Sequence, residues 1–140
     1  MGEIQKGKVV HQAKMLLEAH QNEHKFLIDA APESGGEGKG VRPKALILTS
    51  LAGCTAMDVL SLLQKMRVEF SDFSVEAEGE LTEEHPKIYH KVWLKYFIRL
   101  SNEADKEKME KAVSLSQEKY CGVSAMVKKF ADLSLEIVYL

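Results

Sequence analysis

The chain has 140 residues, 45% of them hydrophobic and 29% charged, with a formal net charge of -2. That is the size of one domain with a core of its own, and the charge balance argues against the basic footprint of a nucleic-acid binder or of a polybasic membrane surface. Met1-Gly2-Glu3-Ile4-Gln5-Lys6 leads into no short apolar core with a small-residue cleavage site, and residues 45–57, the longest stretch without formal charge, are too few and too broken by Ser, Thr and Gly to span a bilayer. A cytoplasmic location is therefore expected, where two cysteines read as buried thiols or redox groups rather than as a structural disulfide.

Taken in chain order, residues 8–31 read as a β-hairpin. One apolar run carries Val9, Val10, Met15, Leu16 and Leu17, the second is Phe26–Ala31, and His20-Gln21-Asn22-Glu23-His24 forms the polar turn. Residues 32–41 hold Gly35, Gly36, Gly38 and Gly40 and read as a flexible loop. Arg42-Pro43 opens a helix over 43–66, because proline at a first-turn position loses no needed N–H. That helix is apolar nearly all round, which predicts burial at the centre of the fold. Strands follow at 71–79 and 88–100. The second alternates Ile88, His90, Val92, Leu94, Tyr96, Ile98 and Leu100 against an aromatic and cationic face that also looks suited to being covered. Ser101-Asn102 caps a helix over 103–119, with Glu103 and Asp105 in its first turn. A second helix is expected over 121–130, and alternation at Leu133, Leu135, Ile137 and Tyr139 predicts a final strand over 133–140. The order of elements is α+β in one domain, 1–140.

Several motifs invite chemistry and fail on their surroundings. His20-x-x-x-His24 has the spacing of a metal pair on a helix but lies in a predicted turn, where those positions do not share a face. The run Gly35-Gly36-Glu37-Gly38-Lys39-Gly40 has Glu33 where a phosphate-binding loop needs its first Gly, and Gly40 where it needs a hydroxyl. Glu76, Glu78 and Glu80 read as the solvated side of a strand, and no Gly-x-Ser-x-Gly nucleophile elbow is present. No metal ligand set and no cofactor are expected. The cysteines differ. Cys54 lies inside the apolar helix beside Gly53, a setting that also suits a small buried hydrophobe. Cys121 follows Lys119 at a helix N-terminus, and both features favour a thiolate.

The segment Arg42-Pro43-Lys44-Ala45-Leu46-Ile47-Leu48 through Ala52-Gly53-Cys54-Thr55-Ala56-Met57-Asp58-Val59 resembles the central helix of the OsmC/Ohr family, the osmotically inducible and organic-hydroperoxide-resistance proteins. Tyr120-Cys121-Gly122-Val123-Ser124 resembles that family's second cysteine motif, usually Cys-Pro-x-Ser. With the order of strands, the resemblance covers nearly the whole chain. It implies an intertwined homodimer, with long central helices packed between two mostly antiparallel sheets. It also implies a thiol peroxidase in which Cys54 attacks the peroxide and Cys121 resolves the sulfenic acid to a disulfide. The partners implied are an organic hydroperoxide and a thiol reductant, with neither nucleic acid nor membrane.

The peroxidase members carry a Glu after the proline that opens the central helix, and it holds an Arg from an N-terminal strand against the thiolate. Here Lys44 stands at that Glu position and no arginine precedes Arg42, so Arg42 and Lys44 become the candidate cations. The pattern resembles a less characterised, OsmC-like branch. A non-enzymatic protein that binds an apolar or thiol-reactive small molecule at the dimer interface is the alternative, and a structural dimer with two inert thiols is the third.

Overall fold

A computed structural model describes residues 2–140, which form two compact units, 2–47 and 48–140. The first unit is a three-stranded antiparallel sheet of β1 (Lys8–Ala13), β2 (Leu16–Gln21) and β3 (His24–Ile28), in that order. The run expected as one strand of a hairpin therefore folds back on itself. Lys14 adopts a left-handed conformation (φ 52°) between β1 and β2, and Asn22 (φ 55°) does so between β2 and β3. Asn is a common turn residue in that region, whereas Lys carries no such signal, which hid the first reversal. His20 and His24 sit on neighbouring strands at the β2–β3 turn, with His20 paired to Lys25 and His24 to Gln21.

The glycine-rich segment is held in place, and the expected flexible loop is corrected on that account. Asp29 N–H donates to the Val41 carbonyl and Val41 N–H to the Leu27 carbonyl, both at 3.0 Å, so the segment after the loop docks alongside the end of β3. The buried Asp29 carboxylate accepts N–H bonds from Ala30 (2.8 Å), Glu37 (3.1 Å) and Lys39 (3.1 Å). A side chain at Gly36 would land on the Ala30 carbonyl, and one at Gly40 would come within 2.5 Å of the Leu27 carbonyl. Two of these glycines thus permit close backbone approach rather than flexibility.

The second unit packs helices on a sheet ordered β4 (Phe70–Leu81), β5 (Tyr89–Leu100), β6 (Asp132–Tyr139). β4 runs antiparallel to β5. β6 lies parallel to β5, as a crossover through helices allows. That crossover is a 3₁₀ turn (Glu103–Asp105), α2 (Lys106–Leu115), a π-helical turn (Ser116–Tyr120) and the short α3 (Gly122–Val127). The helix expected over 103–119 is therefore three segments, and α3 ends earlier than 130. On β5, Val92, Leu94, Tyr96 and Ile98 are buried, but at its start Tyr89 is buried and Ile88 exposed, because a register shift between Glu80 and Leu81 swaps the faces there. Within one chain the aromatic and cationic face is left largely uncovered, and Trp93 is 38% exposed.

The central helix α1 (Leu46–Lys65) begins three residues later than expected, after turn bonds from Leu46 N–H to the Pro43 carbonyl and from Ile47 N–H to the Lys44 carbonyl. It buries only the stripe Leu51, Thr55, Val59 and Leu63, one residue per turn. Leu51, Val59 and Leu63 join Val92, Leu94, Tyr96, Ile98, Met109, Ala112, Val113 and Val127 in one core, each large apolar side chain contributing about 1.5–3 kcal/mol of burial. The expectation of a helix buried all round is not met within one chain: Met57 is 74% and Leu60 40% exposed. With mean hydropathy 1.8, α1 is long and apolar enough to cross a membrane by length and composition. In this fold its stripe serves as core.

Candidate functional site

α1 and the segment after α2 supply the site. Cys54 and Asp58 are four residues apart on α1, so they project from the same face one turn from each other. Cys121 arrives from the π-helical turn, which its N–H closes by donating to the Ser116 carbonyl at 2.7 Å. The wider π-turn also brings Ser116 and Gln117 inward, both buried, in keeping with the frequent use of such turns at functional sites. Cys54 Sγ, Cys121 Sγ and an Asp58 carboxylate oxygen all lie within 4.8 Å of one another. Both cysteines are free thiols, Cys121 buried and Cys54 half-buried. The Cys121 sulfur accepts the Ser124 N–H at 3.4 Å. Asp58 also lines a surface cleft of about 150 Å³ with Ser61, Leu62, Lys65 and Tyr120, which neither thiol lines.

Burial pushes the Cys54 thiol above its ordinary value of 9.0. The Val123 backbone N–H opposes that shift, while Cys121 and then the negative charge of Asp58 add to it. Asp58 and Cys54 thus meet in the geometry that opposes a thiolate.

A chain of hydroxyls buried behind the thiols fixes Asp58. Ser116 Oγ donates to Asp58 Oδ2 at 2.9 Å. Thr55 Oγ1 lies 2.8 Å from Ser116 Oγ and 2.6 Å from the Tyr96 hydroxyl. Gln117 Nε2 donates to Thr55 (3.1 Å) and to Tyr96 (3.0 Å). An ionised carboxylate only accepts, so the protons run one way, from Tyr96 to Thr55 to Ser116 to Asp58. Burial raises the Tyr96 phenol above its ordinary value, with Thr55 and Gln117 opposing, and the phenol keeps its proton as the head of this chain. Gln117 Oε1 and Ser124 Oγ are buried without a hydrogen-bond partner among the described residues. A separate cavity of about 580 Å³, lined by Val113, Gln117, Leu133, Ile137 and Tyr139 among others, contains neither thiol.

Of the four residues singled out from the sequence, the fold brings Cys54 and Cys121 together. Arg42 and Lys44 belong to the first unit. Arg42 Nη1 donates to the Gly40 carbonyl at 3.1 Å, and Lys44 is exposed in the turn before α1. Lys119, expected beside Cys121, sits over the Tyr120 ring at 5.2 Å. The sequence reading did not select Tyr96, Thr55, Ser116 or Gln117, because hydroxyls and amides spread over three elements form no spaced motif. Asp58 carried a legible signal in its i, i+4 relation to Cys54.

Residues 36–136 match the family model described as OsmC-like protein. This chain belongs to the OsmC-like family. Protein YhfA of Escherichia coli K12 is 35% identical over 118 residues, covering 82% of this chain and 84% of YhfA. A hypothetical protein of Aquifex aeolicus superposes on this OsmC-like chain with a TM-score of 0.84 at 29% identity, over 99% of this chain and 98% of that one. The structure of an organic hydroperoxide resistance protein OsmC from Legionella pneumophila superposes at 0.68 and 19% identity, over 97% of both chains. The last likeness speaks for the fold. The two three-stranded sheets with their helices are thus an OsmC-like α+β fold.

Proposed function

We propose that this OsmC-like protein reduces organic hydroperoxides, with Cys54 as the peroxidatic and Cys121 as the resolving thiol. The observation that carries this is the convergence of two sulfurs, far apart in sequence, to within 4.8 Å on different elements. A disulfide then needs only a modest closing movement. The Cys54 thiolate attacks a peroxide oxygen, the O–O bond breaks, and the alkoxide leaves with a proton as the alcohol. Cys54 is left as a sulfenic acid. The Cys121 thiolate attacks that sulfur, hydroxide leaves and is protonated to water, and a disulfide forms. A dithiol reductant returns the two electrons.

The reading takes residues 1–140 as one OsmC-like domain of a cytoplasmic, intertwined homodimer. The exposed Met57 and Leu60 on α1 support it, since a second copy would cover them. The test is consumption of an organic hydroperoxide such as cumene hydroperoxide under a dithiol reductant. Cys54→Ser is expected to fall to background, and Cys121→Ser to turn over once and stop. Equal, near-background rates in wild type and Cys54→Ser overturn the proposal.

A second reading, a non-enzymatic protein that binds an apolar or thiol-reactive small molecule, draws support from the raised Cys54 thiol, which leaves little thiolate at neutral pH. It predicts a ligand-dependent rise in melting temperature without peroxide consumption.

A further inference from the structure

Two thiols and a carboxylate meet on one patch, and each ionises to an anion. As a set of bare charges they repel one another, while a cation placed among them is attracted by all three. The donor types are specific. Two sulfurs with one carboxylate oxygen suit a borderline-soft divalent ion that accepts tetrahedral S and O ligands, rather than the all-oxygen shells of magnesium or calcium.

We propose that the reduced protein binds one Zn²⁺-class divalent cation through Cys54 Sγ, Cys121 Sγ and Asp58, with a fourth position left for an exchangeable ligand. The ligand atoms are already gathered within 4.8 Å of one another. Sulfurs bound to one tetrahedral zinc are about 3.8 Å apart, from Zn–S lengths of about 2.3 Å, so side-chain adjustments of about 1 Å complete the site.

Asp58 is oriented as metal-bound carboxylates usually are, by a hydrogen bond from behind: Ser116 Oγ donates to Oδ2 at 2.9 Å and is itself held by Thr55. The Ser124 N–H on the Cys121 sulfur serves that ligand in the same way. Asp58 also borders a surface cleft, so the carboxylate ligand is within reach of solvent. Binding displaces one proton from each thiol. It also occupies the sulfur lone pairs that peroxide attack requires, so the metal-bound and disulfide forms exclude each other. The site uses the same thiols as the peroxidase reading without depending on it, because binding is read on reduced protein with no peroxide present.

The experiment is an anaerobic titration of the fully reduced protein with Cd²⁺, followed by its sulfur-to-metal charge-transfer absorption in the ultraviolet, and with Zn²⁺ by calorimetry. One equivalent is expected to saturate both signals. Asp58→Asn is expected to keep the band but bind about tenfold or more weakly, and Cys54→Ser and Cys121→Ser each to lose about half the band. Absence of a charge-transfer band in the wild type at equimolar Cd²⁺ overturns the proposal whatever the peroxidase assay gives. Unchanged affinity in a folded Asp58→Asn variant also overturns it, since the thiols alone would then hold the ion.

Discussion

In the first unit the Asp29 carboxylate is 2% exposed and receives three backbone N–H bonds. Those from Lys39, Glu37 and Ala30, with the Arg42 charge, hold it below its ordinary value of 3.8 against the cost of burial. In the second unit Cys54 is half-buried beside Cys121 and Asp58, and its thiol is pushed above 9.0. Both groups lose water, yet they settle in opposite ionisation states. At Asp29 the donors aimed at the charge outweigh its burial, whereas at Cys54 burial dominates and the neighbouring Cys121 and Asp58 add to it. The Asp29 arrangement is closed and organises a loop. The thiol site keeps a face to solvent and has two unpartnered polar atoms buried nearby, features suited to binding or chemistry.

The contrast is sharpened most by Asp29→Asn, which turns an amide NH₂ or a single acceptor oxygen toward donors that now meet two. Melting temperature should fall by about 5–10 °C, and amides of residues 35–41 should lose hydrogen-exchange protection. Because the folded carboxyl sits below 3.8, its contribution is present above that pH and is lost as pH falls through the lower folded value. The wild type should show the same loop opening in acid. Protection unchanged in the variant would mean that the glycine packing alone holds the loop.

Thr55→Val comes next. The isosteric change leaves the Tyr96 hydroxyl without its acceptor and takes one of two partners from Gln117 Nε2 and from Ser116 Oγ in a buried site, at a cost of about 1–3 kcal/mol in chemical denaturation. A neutral result would show that the hydroxyl chain is not held by Thr55.

The smallest effect is expected from Asp58→Asn on Cys54 itself. In a Cys121→Ser background, iodoacetamide alkylation should rise about tenfold per pH unit through neutrality, as for any thiol titrating above 9.0. Removing the Asp58 charge should move that profile toward acid and speed alkylation about two- to fivefold at pH 7.5. A profile that stays put would assign the raised thiol to burial alone.

The residue pattern along the chain determined much of the architecture. Alternation in residues 92–98, the long apolar helix containing Cys54 and the two cysteine motifs are local signals, and periodicity is what a sequence displays. Tertiary structure decided the rest. The left-handed Lys14 split the first strand, the bulge at Glu80–Leu81 reversed the faces at Tyr89, and backbone bonds to Asp29 fixed a segment whose glycines suggested flexibility. It also decided that Cys54 and Cys121 share one site, with Asp58 held against them by Ser116, Thr55 and Tyr96. Proximity between residues far apart in sequence comes from how helix and sheet faces pack, and no spacing within the chain encodes it.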